Sequence, residues 1–280
     1  MRHAGFLPRT DGIASTPGSL DSHPLSGSAA ALPDQARDHF ERGRALFEEH
    51  DDSGEAMKEA ETEFRRALQL DPKLAAAVAY LGFIADDQQR REEAAAAYRK
   101  ALDIDPRCAE ARVGLARLHR LGNQIEESLR VLRLAVAEAP ANRLALRELA
   151  WELTSENAKP TGEMWRESTR HLETLIALDP DDRGAHYDLA QAWRHLKQWP
   201  DAEREFREVL RIGQTPEDLD VWVYSVHFDV AEMLERQGRY LEAIAEYEAL
   251  LASDGPGEEE RRRANERIAL LREKLRKERD

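Results

Sequence analysis

The chain has 280 residues and a formal charge of −14, with 34% charged and 6% aromatic side chains. That balance excludes a non-specific nucleic-acid binder, which needs the opposite sign, and suits exposed helices with thin apolar seams better than one large core. The single cysteine, Cys108, excludes an internal disulfide and a cysteine-based zinc site.

Residues 1–33 are rich in Gly, Pro, Ser and Thr, and carry Arg2 and Arg9 against Asp11 and Asp21. They are expected to be a disordered, neutral segment, with a docking peptide or a start-site artefact as the other readings. No long apolar run opens the chain, and no later stretch reaches the length of a membrane span. The expected compartment is the cytoplasm. Residues 258–280 hold nine basic and seven acidic side chains, which leaves about −16 on the segment between.

Helix begins near Pro33-Asp34. A first helix carries Phe40, Gly43 and Arg44, and a second carries Ala60, Phe64 and Ala67 before Pro72. Residues 75–142 then hold two copies of a 34-residue unit. Leu81, Gly82, Ala85, Ala94, Tyr98, Ala101, Leu102 and Pro106 fall over Leu115, Ala116, His119, Ser128, Leu132, Ala135, Val136 and Pro140. The steps of three and four place each set on one face of a helix. Gly82 and Ala94 allow close approach, Tyr98 is expected to fill the space toward the next pair, and the proline ends the second helix near Asp105.

Against this ruler three departures stand out. From Gly43 to Ala60 is 17 residues, where Gly82 to Ala94 is 12, so five are inserted around 50–54. From Ala150 to Ser168 is 18, so six are inserted around 155–162. Phe206 to Tyr247 is 41, and the excess lies before the sixth unit, whose first helix is expected to begin near Pro216 and to add Val221, Trp222, Val223 and Tyr224. Gly255-Pro256-Gly257 breaks the pattern, and 258–279 reads as one more helix with an Ala264, Ile268, Leu271 and Leu275 stripe.

A 34-residue helix–turn–helix period with these residues resembles the tetratricopeptide repeat family over about residues 35–254. The resemblance implies an all-α, right-handed superhelical solenoid of about six repeats (34–257) with a C-terminal capping helix (258–280). It also implies a non-catalytic scaffold or adaptor, whose first helices line a concave groove that takes a peptide or partner helix. In repeat phase, the groove positions are Tyr80, Phe83, Arg117, Arg120, Arg147, Trp151, Tyr187, Asp188, Gln191, Arg194 and Phe228. The arginines beside aromatics are expected to clamp a carboxylate or an acidic peptide, or else to pair with Glu110 and Glu148. One subfamily grips a chaperone C-terminus with lysines, asparagines and an arginine. The matching positions here, Phe40, Arg44, Tyr80, Glu110 and Gly114, do not fit it. Two other readings are self-association through Val221, Trp222 and Tyr224, giving a homo-oligomer, and a subunit that presents substrate to an enzyme. No catalytic motif, cofactor fingerprint or metal-ligand spacing occurs among the nine histidines, so no catalytic residue, cofactor or metal is expected.

Overall fold

A computed structural model describes residues 34–48, 54–213, 221–252 and 257–278, with side chains from 225 onward in the third stretch. Among these the fold is all-α, and the helices alternate in pairs along the chain. Their order is α1 (Asp34–Glu48), α2 (Glu55–Leu70), α3 (Ala75–Asp87), α4 (Arg91–Ile104), α5 (Ala109–Leu121), α6 (Ile125–Glu138) and α7 (Arg143–Thr154). Then come α8 (Gly162–Leu178), α9 (Arg183–His195), α10 (Trp199–Ile212), α11 (Val221–Arg236), α12 (Tyr240–Ala252) and α13 (Glu258–Lys277). The chain divides into two compact units between Ala145 and Leu146.

In the first unit Tyr98 is fully buried, and two glycines shape its seat. A Cβ at Gly82 would stand 2.5 Å from the ring, and one at Gly114 in the following pair 2.2 Å. Gly82 therefore makes room for a side chain. Tyr98 fills the space between consecutive pairs as its size predicts. Cys108 is buried at the start of α5, consistent with a small residue that fills a turn.

Each regular repeat turns by the same local device. Gln89, Asn123, Lys197 and Gly238 all have positive φ, at one equivalent position in repeats two, three, five and six. The next residue's amide then reaches back into the first helix: Arg90 to the Ala85 carbonyl at 2.8 Å, Gln124 to His119 at 2.8 Å, Gln198 to Trp193 at 2.9 Å and Arg239 to Leu234 at 2.9 Å. This is a left-handed helix C-terminus closed by a six-to-one hydrogen bond. Three of the four positions are not glycine, so the turn is held by its bonds and packing rather than by residue preference.

Repeat four replaces that turn. Ser155 opens a short 3₁₀ turn over Glu156–Ala158, Lys159 takes a φ of 49°, and the Thr161 hydroxyl caps α8 by accepting from the Met164 amide at 3.3 Å. α8 starts six residues before Ser168, whereas α4 starts three before Ala94, so part of the insertion lengthens the helix as well as the turn. Ser168 is buried and donates to the Ala150 carbonyl at 3.1 Å, which ties α8 to α7. In the second unit α13 lies on α12, with Ala264, Ile268 and Leu271 buried.

Candidate partner-binding surfaces

The first-helix face of the first unit is built from rings. Tyr80 stacks on Phe64 at 4.9 Å and meets Phe40, Phe47 and Phe83 edge-on at 5.6, 5.4 and 5.5 Å. Phe83 continues the chain to Tyr98 at 5.5 Å. Tyr80 is 7% exposed and Phe83 2%, and burial pushes the Tyr80 phenol well above its ordinary pKa. Two expected groove anchors therefore lie inside the unit, because α3 buries ten of its thirteen residues and has no free face at that end. Arg117 lies over Phe83 with its guanidinium carbon 5.0 Å from the ring centroid. Arg120 is half-buried in the last turn of α5, and Arg44 pairs with Glu41 at 2.6 Å.

The equivalent face of the second unit is polar. Trp151 on α7 is 41% exposed, the largest aromatic surface among the described residues. One turn earlier Arg147 bonds Asp182 at 2.5 Å. On α9 Tyr187 is hydrogen-bonded to Gln191, and burial, then the nearby Asp229, raise its pKa to about 12. Arg194 bonds Asp229 on α11 at 2.9 Å and lies 3.8 Å from Glu232. Phe228 meets Tyr247 at 4.9 Å and is covered by Arg263 of α13 at 4.9 Å. Asp188 and Asp229 occupy the same position in successive repeats, 41 residues apart. Burial holds both carboxyls up at about 6, against the pull of Arg147 on the first and Arg194 on the second.

Of the three arginines expected to form the clamp, Arg117, Arg120 and Arg147, the last is bonded to Asp182 of this chain, and Arg194 further along the face is bonded to Asp229. Arg147 takes Asp182, while Glu110 accepts from Asn142 at 2.8 Å. Repeat phase places side chains on a face but does not say which neighbours a flexible arginine reaches.

Two sets of residues were not singled out by the repeat pattern. The first is a recurring histidine–glutamate pair between the two helices of a repeat: His39–Glu63 at 2.7 Å, His186–Glu205 at 2.8 Å and His227–Glu246 at 3.0 Å. The separations are 24, 19 and 19 residues, and the five-residue insertion of repeat one accounts for the first. His186 is buried, with its second nitrogen on the Pro180 carbonyl at 3.1 Å. Burial opposes its charge, but the Glu205 and Pro180 bonds outweigh that and its pKa is raised. Burial likewise opposes ionisation of Glu205, and the His186 and Arg204 bonds overcome it, so this carboxyl is lowered. The second set is Trp165, directly after the three residues added at the start of α8, stacked on His195 at 4.1 Å with planes 9° apart. Burial, then Arg194, lower the His195 pKa. A fixed histidine-to-glutamate offset in repeat phase, and a tryptophan beside an insertion, were the available signals.

Residues 1–33, most of the repeat-one insertion, the expected helix start near Pro216, and the Val221, Trp222 and Tyr224 side chains lie outside the described residues. Among the described residues no helix is long and apolar enough to cross a membrane, and no cluster of three or more His, Cys, Asp or Glu side chains could hold a metal ion.

Family models described as "Tetratricopeptide repeat" match residues 85–150 and 162–217. The chain is a tetratricopeptide repeat protein. Such repeats make it a protein-interaction scaffold in the general sense. Yeast Tom70 is similar at 20% identity and a TM-score of 0.56, covering 79% of this chain and 44% of Tom70. PilW, a widely conserved type IV pilus biogenesis factor, is similar at 20% and 0.52, covering 78% of this chain and 95% of PilW. PilF of Pseudomonas aeruginosa is similar at 19% and 0.52, covering 79% and 94%. At such identities the likeness is one of fold. No curated protein compared with the sequence matches it.

Proposed function

We propose that the chain is a non-catalytic adaptor whose second unit takes a segment of a partner protein along the α7, α9 and α11 face. The observation that carries this is the exposed Trp151 set one turn from Arg147. A large exposed aromatic beside a charged group is the kind of residue that anchors interfaces. Tyr187 and Phe228 continue the row, half-buried, on the next two first helices.

The polar groups give the segment a direction. Both arginines are bonded to the chain's own carboxylates, whereas Asp188 makes no hydrogen bond within the described residues. A basic side chain of the partner would favour ionised Asp188, and an apolar one would cover Trp151.

The test places a photo-crosslinking residue at Trp151 or at the exposed Leu241 of α12 in the full chain and exposes cell extract. The reading expects one partner from position 151 and not from 241, with at least tenfold weaker binding to the Arg147→Ala/Trp151→Ala double variant. The same capture from both positions, or unchanged affinity in the double variant, sinks it.

A further inference from the structure

On the other side of α9 from that face, the second unit holds a cavity of about 340 Å³. Its walls are Arg166, Thr169, Arg170 and Glu173 of α8, with Trp193, Leu196 and Gln198 from the end of α9 and the turn that follows. The α8 residues share one helix face at steps of three and four. The lengthened N-terminal turn of α8 and its Trp165–His195 stack fix that helix against α9 next to the cavity.

The cavity is unusual for its hydrogen-bonding inventory. Most arginines of the second unit are committed: Arg147, Arg194, Arg204, Arg207, Arg211 and Arg239 all meet carboxylates within 4.0 Å. The Arg166 and Arg170 guanidiniums, one turn apart, make no ion pair or side-chain hydrogen bond within the described residues. The indole N–H of Trp193 is buried and also lacks an acceptor. Thr169 uses its hydroxyl hydrogen on the Arg166 carbonyl at 2.9 Å, and the Gln198 side chain stands exposed at the rim. Glu173 is the one carboxylate in the wall. It is exposed, and with the two arginines it leaves a local charge of +1.

Two cations and a buried donor without acceptors call for the same thing. A buried N–H is costly to leave unbonded, and a guanidinium presents a planar fork that fits two oxygens of one group. Arg166, Arg170 and Trp193 can only donate, and the acceptors in the wall, Glu173, the Gln198 amide oxygen and the Thr169 hydroxyl oxygen, make no bond to them. An entering group must therefore bring at least two acceptor oxygens and negative charge. Trp193 and Leu196 supply apolar wall for whatever carries it.

We propose that this cavity is an oxyanion site, in which a carboxylate or phosphoryl group is held between Arg166 and Arg170 and accepts the indole N–H of Trp193. It is a separate site from the α7, α9 and α11 face, and it stands whether or not that face binds a partner. In an acidic protein two uncommitted arginines also set selectivity, since the surrounding negative field disfavours anions everywhere else.

The test uses the full chain, labelled with ¹⁵N, and reads the indole N–H resonances of its five tryptophans. Trp193→Phe assigns the relevant peak. Inorganic phosphate and acetate are titrated separately at constant ionic strength, with chloride as the balancing ion. The expected result is a saturable shift of the Trp193 peak with one or both probes. Saturation by phosphate alone marks a phosphoryl site, and by acetate alone a carboxylate site. The half-point should rise at least tenfold in Arg166→Gln/Arg170→Gln, and Glu173→Gln should lower it by about twofold. Both arginines and Glu173 are exposed, so the folded spectrum should persist. The proposal is overturned if neither probe saturates the Trp193 peak, or if the double variant leaves the half-point where it was.

Discussion

The two units use the same repeat and hold it together differently. In the first, rings from α1 to α4 form one connected chain, Phe40, Phe64, Tyr80, Phe83 and Tyr98, set over glycines. In the second, apolar contacts remain, but charged pairs also join neighbouring helices: His186–Glu205 between α9 and α10, Arg194–Asp229 between α9 and α11, and Arg207–Glu246 between α10 and α12. Arg239–Glu203 joins α12's start to α10, and Arg267–Glu235 joins α13 to α11. A seam of rings depends on volume and shape, and responds little to pH or salt. A seam of ion pairs responds to both. The difference bears on function, because the polar unit exposes a large aromatic and the aromatic unit buries its own.

The largest expected effect tests the ring seam. Tyr98→Ala should destabilise the first unit by about 3–5 kcal/mol, as removal of a fully buried large side chain does. Gly114→Ala alone should cost about 1–3 kcal/mol by overfilling the same space. In the Tyr98→Ala background the Gly114 change should cost nothing or stabilise. Hydrogen exchange of the full chain reads each unit separately, and additive costs would show that the two positions do not share a cavity.

Next comes the buried pair of the second unit. His186→Leu should cost about 1–3 kcal/mol at pH 6 by leaving Glu205 with one partner fewer. The sign follows from the direction of each shift. His186 is raised, so its contribution is complete below the unfolded value of about 6.5 and disappears as pH rises through the folded one. Glu205 is lowered, so its contribution is complete above the unfolded value of about 4.3 and disappears as pH falls through the folded one. The gap between wild type and variant should be widest between those limits. A gap that does not change from pH 6 to pH 9 would mean the imidazolium adds nothing.

Asp188 runs the other way. Its folded pKa, about 6, lies above the unfolded value, so the ionised form opposes folding at neutral pH. Asp188→Asn should stabilise the second unit by on the order of 1 kcal/mol at pH 7, and the gain should vanish below about pH 4. Loss of stability at pH 7 would reverse the assignment. The smallest effect is ionic. Moving from 0.1 to 1 M salt should lower protection in α9–α12 by a few tenths of a kcal/mol while changing α3–α4 less, since exposed pairs are individually weak and screened. Equal responses would erase the contrast between the units.

Much of this was legible in the residues. The period, the helix pairs, the site of the repeat-four insertion and the seat of Tyr98 followed from spacing, because a helix face is set by steps of three and four whatever surrounds it. The site was legible only in part. Phase placed Arg147, Trp151, Tyr187 and Asp188 on first helices, but also offered Tyr80 and Phe83, which the fold buries. The histidine–glutamate offset lay in the sequence and went unmarked, because its partners are far apart in the chain and neither belongs to the apolar pattern.

What the sequence determined by itself is therefore the repeat: where helices run, where they turn, and which positions are small or large. The tertiary structure decided which side chains are spent on packing and which arginines are committed. It also decided that Trp193, Arg166 and Arg170 share one cavity wall. The reason is physical. Backbone periodicity is a local property, whereas burial and ion pairing depend on which neighbours a long side chain meets once the helices are stacked.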